Sequence, residues 1–347
     1  MVGLIFTLDV GSGTQDFLLY VDKNLRNCPK AIMPSPTKIL ASKIRKCKKD
    51  VFLYGYTMGG GAITSAVKEH ISKGFRVFAD ERAALTFSDN LEKVKEIGVK
   101  IEKPKGEFES FETKDVDLEF YSKMLSSLDY DLPEIYAIAV QDHGFSPKES
   151  NRVFRFRMFE KLLKKSSKLT SLMFKHDEIP AEFNRMRDVA SCIKDKRSAE
   201  VYVVDTVFAA IAGCSLFANP PALLVNFGNS HLTAAIINEN YEITSLLEHH
   251  TSVVAKRGRD AVRNLLKKFV MGELSFEDVF NDGGHGCLVR EVIDVKSAVG
   301  TGPNSWLLDI EEVKGDPMIT GNLGILFMLS EKGVCEFSSE QVFGKYY

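Results

Sequence analysis

One hairpin pattern occurs twice in this chain, and the repetition is the strongest constraint on its fold. The first copy is an apolar strand that carries Asp9, a glycine-rich turn at 11–13 and a second apolar strand. The second copy, roughly 215 positions later, carries Asn226 and a polar turn at 228–230. Glycine in such a turn permits positive φ and brings backbone N–H groups close to a ligand. The repeat predicts two related subdomains, although each hairpin alone also fits an ordinary edge hairpin.

The charge balance argues against one large class of function. The chain has 347 residues, with 45 Lys and Arg against 47 Asp and Glu. A non-specific nucleic-acid binder normally carries a basic face, which this composition does not favour. No apolar run approaches the roughly 20 residues that span a bilayer, and no basic segment precedes the first apolar stretch. We therefore expect a cytoplasmic protein without nucleic-acid or membrane partners, and the sequence leaves a homodimer open.

The six cysteines are isolated from one another in the sequence, at positions 28, 47, 192, 214, 287 and 335. No C-x-x-C pair occurs among them, which argues against a zinc ribbon or an iron–sulfur site built from local spacing. Isolated cysteines in a chain of this kind predict reduced thiols.

A βαβ unit is predicted in the first third of the chain. The apolar segment 51–56 predicts a strand, and it is followed by Gly59–Gly61, a helix over 62–73 and a strand over 75–79. The three glycines fit two roles equally well: an anion site at the helix start, or close packing of helix against strand.

Two later strands end in polar residues. Segment 135–140 is a continuous apolar run typical of a buried parallel strand, and the polar segment 141–144 follows it. Segment 201–204 ends at Asp205 and leads into a small-residue helix over 206–217. Open α/β sheets place ligands at the carboxyl ends of their strands.

A basic helix is predicted after residue 150. Its six basic side chains are interpreted as a solvated helix face: Arg152, Arg155, Arg157, Lys161, Lys164 and Lys165.

Taken in order, these motifs resemble those of the actin-like ATPase superfamily, which includes sugar and acetate kinases, actin and the 70-kilodalton heat-shock chaperones. Segment 9–16 resembles its first phosphate motif, 226–231 its second, 203–213 its first connecting motif and 319–324 its adenosine motif. The resemblance implies an α/β fold of two ribonuclease-H-like subdomains that face each other across a nucleotide cleft. The implied division is 1–204 (N-terminal subdomain with insertions), 205–221 (connecting helix), 222–331 (C-terminal subdomain) and 332–347 (tail).

The resemblance also implies ATP and Mg²⁺ as cofactors. Asp9 would hold the metal through water, and Asp16 or Asp205 would orient the nucleophile for phosphoryl transfer. Asp205 fits a helix N-cap as well. The implied nucleotide contacts are Gly11, Ser12, Gly13, Thr14, Gln15, Asn226, Gly228, Asn229, Ser230, Gly321, Asn322 and Gly324. Asn226 stands where the family usually has Asp, which weakens metal or water binding from that side.

More narrowly, the chain resembles a mainly archaeal family, domain of unknown function 1786, that is labelled a pyruvate formate-lyase activating enzyme. The matching segments are 8–16, 141–144, 151–152, 248–251 and 282–286. The label conflicts with the sequence, because the three-cysteine cluster that radical-SAM chemistry needs is missing. We therefore reject radical-SAM activity.

Polar residues in several glycine-flanked or strand-end positions predict a substrate pocket. Its members are Asp142, His143, Arg152, His249, His250, Asp282 and His285. With His231 of the second hairpin, these histidines also fit a metal site gathered across the cleft, although no i, i+4 pair supports it. Each histidine taken alone fits a hydrogen-bonded loop residue.

Three functions follow from these patterns. The first is an ATP-dependent kinase of a small metabolite, or an ATPase, of the actin-like fold. The second is a non-catalytic nucleotide sensor or scaffold, which Asn226 and the loose adenosine motif favour. The third is a metal-dependent hydrolase that uses the histidines. The sequence does not name the acceptor substrate.

Overall fold

The computed structural model describes residues 4–343 and is built from short strands and helices in alternation. The strands are β1 (Ile5–Val10), β2 (Thr14–Tyr20), β3 (Lys30–Pro34), β4 (Val51–Gly55), β5 (Val77–Ala79), β6 (Val99–Ile101), β7 (Glu109–Thr113), β8 (Ile135–Val140), β9 (Met173–Lys175), β10 (Glu200–Val204), β11 (Ala222–Phe227), β12 (His231–Ile237), β13 (Ile243–His250), β14 (Gly286–Val289), β15 (Ser297–Thr301) and β16 (Glu311–Glu312). The helices are α1 (Pro36–Lys46), α2 (Gly61–Ser72), α3 (Glu81–Ala84), α4 (Leu91–Glu96), α5 (Leu118–Ser126), α6 (Asn151–Lys165), α7 (Asn184–Lys194), α8 (Thr206–Ser215), α9 (Thr251–Lys256), α10 (Arg259–Val270), α11 (Phe276–Asn281), α12 (Thr320–Glu331) and α13 (Ser339–Phe343).

Two six-stranded sheets have the same order over five strands, β3-β2-β1-β8-β10 in the first and β13-β12-β11-β15-β16 in the second. The first runs β3-β2-β1-β8-β10-β9 and the second β14-β13-β12-β11-β15-β16. In each sheet the hairpin strands, β1–β2 and β11–β12, pair antiparallel. The first hairpin strand of each sheet also pairs in parallel with a later strand, β8 or β15. This duplication confirms the predicted α/β fold of two ribonuclease-H-like subdomains, the fold of the actin-like ATPases.

The two sheets share one apolar core. Each sheet turns one face toward α8 and α12, and buried side chains of β1, β8, β11 and β12 join those of the two helices in a single cluster. The opposite faces of the sheets form separate clusters, one against α5 and α7 and the other against α9 and α10. The α8–α12 pair therefore joins the two halves.

Small residues let α8 and α12 approach closely, as the small-residue pattern of the first helix indicates. A Cβ atom added at Gly213 would overlap the carbonyl oxygen of Thr320, and one added at Gly324 would overlap that of Ala209. The contact is reciprocal, because each helix presents its glycine to the backbone of the other.

A third sheet is inserted between β3 and α5. It runs β6-β5-β4-β7 with all of its strands parallel, and it has its own apolar core with α1 and α2. The predicted βαβ unit is confirmed as β4-α2-β5.

The domain boundaries implied by the resemblance stay predictions, and residues 1–3 and 344–347 of the outermost segments lie outside the described residues. Within residues 4–343, every helix is too short or too polar to cross a membrane.

Candidate functional site

The two hairpin turns meet tip to tip. In the first turn the Gly11 N–H donates to the Thr14 carbonyl over 2.9 Å, and in the second the Gly228 N–H donates to the His231 carbonyl over 3.0 Å. The hydroxyl oxygens of Ser12 and Ser230 lie 2.6 Å apart, so the turns of the two halves touch.

A cavity of about 390 Å³ lies beside these turns. Residues of both hairpins, of the loops after β8 and β15, and of the inserted subdomain line it. The predicted site residues among them are Asp9, Gly11, Ser12, Thr14, Asp16, Asp142, His143, Asn226, Gly228, Asn229, Ser230 and Gly321. The structure therefore brings both predicted phosphate turns and part of the predicted substrate pocket to one cavity.

A pair of carboxylates, Asp9 and Asp16, lies directly opposite across β1 and β2. One oxygen of each, Oδ1, is buried without a hydrogen-bond partner among the described residues. Burial raises the pKa of Asp9 well above its ordinary value, and the charges of Asp16 and Asp205 add to the rise. Burial also raises the pKa of Asp16 to about 7, although a hydrogen bond from Thr14 opposes the shift. Hard divalent cations such as Mg²⁺ prefer carboxylate oxygens as ligands. Two such oxygens lie here without a counter-charge, so a cation would stabilise the pair.

The second hairpin has neutral side chains at the same places. Asn226 faces Thr233 across β11 and β12, as Asp9 faces Asp16 across β1 and β2. Asn226 and Thr233 both line the cavity. The anionic groups of this region therefore belong to the first half.

The Asp205 carboxylate is fully engaged by other groups. Arg155 binds it through two N–H groups, at 2.7 and 2.9 Å, and the backbone N–H groups of Asp142 and Val207 donate to it as well. The bond from the Val207 N–H makes Asp205 the N-cap of α8, as the sequence predicts. Asp205 does not line the cavity, so its catalytic role stays a prediction that the geometry does not favour.

The basic face predicted for α6 is wrong at Arg155. This side chain is fully buried and binds Glu248 of β13 as well as Asp205. Its neighbours on the helix fit the prediction, because Lys161 and Lys164 are exposed and pair with nearby acids. Burial opposes ionisation of Glu248, but the charge of Arg155 holds its pKa well below its ordinary value. The result is a buried ion triad that joins the two halves.

Three predicted nucleotide contacts instead support the hairpin or the helix pair. Gln15 accepts a hydrogen bond from Tyr121 and donates one to the Pro34 carbonyl. Asn322 is buried in α12 and donates to Thr7 and to the Asp16 carbonyl, and Gly324 packs against α8. As nucleotide contacts they stay predictions; Gly13 also lies off the cavity lining, against the side chain of Asn229.

The predicted substrate pocket divides into two groups of residues. His143, His231, His250 and His285 form a chain of ring contacts, with ring centroids 4.6 to 5.6 Å apart. Burial lowers the pKa of His143 to about 3, of His231 to about 4 and of His285 to about 2, so their rings are neutral near pH 7. The second group makes other contacts: His249 and Arg257 contact Asp282, and Arg152 donates to the Gly284 carbonyl.

The Asp142 carboxylate holds the loop after β8. Each of its oxygens accepts a backbone N–H, one from Gly144 at 2.8 Å and one from Met186 at 2.9 Å. Burial raises the pKa of Asp142 to about 6 in spite of these bonds.

Sequence reasoning missed Arg185 at the cavity wall. Its guanidinium binds Asp115 through two N–H groups and donates a third bond to the Gln141 carbonyl. No local sequence signal marks it, because Asp115 lies 70 positions away.

The glycines at the start of α2, Gly59–Gly61, also line the cavity. Gly60 has no room for a Cβ beside the Thr86 carbonyl. Both roles predicted for this segment, an anion site and close packing, therefore fit the structure.

Comparison with known families finds a match over more than half of the chain. The family described as "Putative pyruvate format-lyase activating enzyme (DUF1786)" matches residues 58–307. Comparison with curated proteins finds no match.

Several solved structures are similar at low identity. The ethanolamine utilization protein EutJ from Carboxydothermus hydrogenoformans is 10% identical, with 93% of this chain and 89% of that chain covered and a TM-score of 0.36. The activator of 2-hydroxyisocaproyl-CoA dehydratase from Clostridium difficile, with bound ADPNP, is 8% identical, with 96% and 99% covered and a TM-score of 0.35. The PPX-GPPA enzyme from Aquifex aeolicus is 10% identical, with 87% and 68% covered and a TM-score of 0.30. TM-scores this low support no inference about what the present chain binds.

Proposed function

The chain belongs to the DUF1786 family, and from that premise we propose that it is an ATP-binding phosphotransferase or ATPase that acts on a small metabolite. The chemistry in the family's description is not part of this proposal. An iron–sulfur cluster needs several cysteine thiolates gathered at one place. The cysteines are free, and within residues 4–343 the one group of three or more potential metal ligands consists of histidines.

The observation that carries the proposal is the pair of matched turns at one cavity. Each turn presents backbone N–H groups of a short glycine-containing loop, and such loops bind phosphate oxygens. Because the turns come from the two halves, a chain of phosphates between them would contact both. The Ser12–Ser230 contact occupies that space, so we expect the turns to separate when a nucleotide binds.

The carboxylates of the first hairpin fit Mg²⁺. Asp9 and Asp16 each have an unpartnered buried oxygen, and burial raises the pKa of both. A bound Mg²⁺ would neutralise charge on the phosphates during transfer. Asp9 is the residue we expect to hold it, since Asp9 also packs against the start of α12 at Gly321.

Asp16 is the better candidate of the two predicted nucleophile-orienting residues. It lines the cavity, and its buried Oδ1 has no hydrogen-bond partner among the described residues, so this oxygen is available to accept a proton from the nucleophile. Asp205 has both oxygens bound by Arg155 and backbone N–H groups, so it orients Arg155 and the loop after β8 instead.

A disulfide between the two turns tests the proposal. The double variant Ser12→Cys, Ser230→Cys places two thiols where the hydroxyls now touch, within reach of a disulfide of about 2.05 Å. We expect the oxidised protein to lose Mg–ATP binding in calorimetry and the reduced protein to regain it. The single variant Ser12→Cys, treated with the same oxidant, is the control.

Equal Mg–ATP affinity in the oxidised and reduced double variant would contradict the proposed position of the phosphates. If the reduced protein binds ATP without forming ADP in the presence of candidate acceptors, the nucleotide-sensor function replaces the enzyme. Release of ADP without an acceptor favours an ATPase over a kinase.

A further inference from the structure

Three histidines come together at one edge of the second sheet. His231 begins β12 and lies directly opposite His250, the last residue of β13. His285 immediately precedes β14, and its backbone N–H donates to the Glu248 carbonyl of β13. Adjacent strands therefore place the three side chains side by side, although the chain separates them widely.

The ring nitrogens of this His231–His250–His285 cluster converge. One nitrogen from each ring lies within 4.8 Å of the other two. One buried ring nitrogen, Nε2 of His231, makes no hydrogen bond with any residue that the structure describes. A buried polar atom without a partner destabilises the folded protein, so a ligand that satisfies His231 Nε2 would stabilise the cluster.

Neighbouring polar groups hold two of the rings in ligating orientations. Gln141 Nε2 lies 3.1 Å from His231 Nδ1. A metal bound at Nε2 of this ring requires the proton on Nδ1, and the Gln141 amide then turns so that its oxygen accepts that N–H. Glu248 Oε2 lies 3.4 Å from His285 Nδ1, and Arg155 fixes that carboxylate through two hydrogen bonds. Carboxylate–histidine contacts of this kind orient the ligands of many protein metal sites.

We propose that His231, His250 and His285 bind one divalent transition metal ion of the Zn²⁺ type. Three imidazoles without a carboxylate select a borderline metal over Mg²⁺, and three protein ligands leave a fourth position for water or a substrate oxygen. His231 also lines the cavity, so the metal adjoins the cleft. Ligand nitrogens around tetrahedral zinc lie roughly 3.4 Å apart, so binding draws the rings together by about 1 Å.

Zinc titration of the full chain, purified without a histidine tag and stripped with a chelator, tests this site. We expect one Zn²⁺ per chain, and Co²⁺ in its place should give the visible absorption of a tetrahedral site. His250→Gln should weaken Zn²⁺ binding at least about 100-fold, because it removes one of three ligands. His176→Gln is the matched control, since His176 is exposed on another part of the surface.

The second variant His231→Gln keeps the test open if His250→Gln does not fold, and thermal unfolding establishes which variant is folded. Asp9→Asn should keep full Zn²⁺ affinity, because its carboxylate belongs to the proposed Mg²⁺ site. The proposal is overturned by a wild-type protein that binds no stoichiometric Zn²⁺, by a folded His250→Gln or His231→Gln variant with wild-type affinity, or by loss of Zn²⁺ binding in folded Asp9→Asn.

Discussion

The two hairpins have the same backbone and different side-chain chemistry. In both, the strand pairs are almost wholly buried, and one side chain in the first strand is half-buried at the same place: Asp9 in one and Asn226 in the other. The residue across the pair is Asp16 in the first hairpin and Thr233 in the second. The duplicated fold therefore supplies two matched hairpin turns, while this pair of carboxylates occurs only in the first half.

The second half carries the histidines instead. The residue that ends each turn is Thr14 in the first hairpin and His231 in the second, and His250 lies on the next strand. The two hairpins therefore match in their backbone structure and differ in the side chains that they bring to the site. Each half then contributes a different chemistry to one cleft, and the following predictions test this division.

The largest effect is expected from making the first hairpin resemble the second. Asp9→Asn converts the acid into the residue found at position 226 and removes the proposed Mg²⁺ ligand. We expect ATP turnover to fall on the order of 100-fold or more, because a bound metal supplies several kcal/mol of charge stabilisation. The rate of ATP turnover is measured as steady-state ADP release at saturating Mg²⁺.

Asn226→Ala is the matched variant in the second hairpin. It removes a neutral side chain, and one neutral hydrogen bond is worth about 1 kcal/mol, or roughly a fivefold change in rate. Equal losses in the two variants would break the proposed asymmetry.

Arg155 gives the largest expected effect on stability, because it binds one carboxylate of each half. Arg155→Met leaves Asp205 and Glu248 buried without a counter-charge, and the free energy of unfolding should fall by about 3–5 kcal/mol. Lys164→Ala, which removes an exposed pair on the same helix, should cost at most about 1 kcal/mol. Urea unfolding followed by circular dichroism compares them, and similar losses would show that the triad does not join the halves.

A variant of Asp142 tests the role of the acid in the loop after β8. The corresponding loop after β15 begins with Gly302 and has no acid there. The Asp142 pKa of about 6 lies above the ordinary 3.8, so its contribution to stability is present below about pH 4 and is lost as pH rises through 6. The free energy of unfolding of the wild type minus that of Asp142→Asn should fall by roughly 3 kcal/mol between about pH 4 and pH 7. If this difference in the free energy of unfolding stays constant or rises with pH, burial does not raise the pKa of Asp142.

The smallest effect concerns α8 and α12, the helix pair that joins the two halves. Gly213→Ala and Gly324→Ala each push a methyl group into the backbone of the partner helix, and each should lower the free energy of unfolding by about 1–3 kcal/mol. Gly61→Ala meets no atom within 4 Å and should change it by less than about 0.5 kcal/mol. A large difference between the two helix variants would mean that the pair is not reciprocal.

The sequence predicts the parts of this molecule that depend on local pattern. Both hairpins, the strand 135–140 and the helix after Asp205 are recognisable because apolar runs, glycines and a capping acid lie within a few residues of one another. The repeated hairpin then indicates the two-subdomain fold. The inserted four-stranded sheet is predicted only in its βαβ part.

The long-range side-chain contacts could not be predicted in the same way. Arg155 resembles the other basic residues of α6, and its burial depends on partners 50 and 93 positions away. The His231–His250–His285 cluster depends on the register of β12 against β13, which the local pattern does not provide. Asn322 and Gly324 look like a nucleotide motif, yet they pack against β1–β2 and α8 because α12 is buried between the sheets.

A crystal structure of the protein with Mg²⁺ and a non-hydrolysable ATP analogue tests the central claim most directly. The account predicts phosphates between the turn 11–14 and the turn 228–231, Mg²⁺ beside Asp9, and a Ser12–Ser230 contact that has opened. Phosphates bound at the start of α2, or a nucleotide bound outside the cavity while the two turns stay in contact, would contradict it.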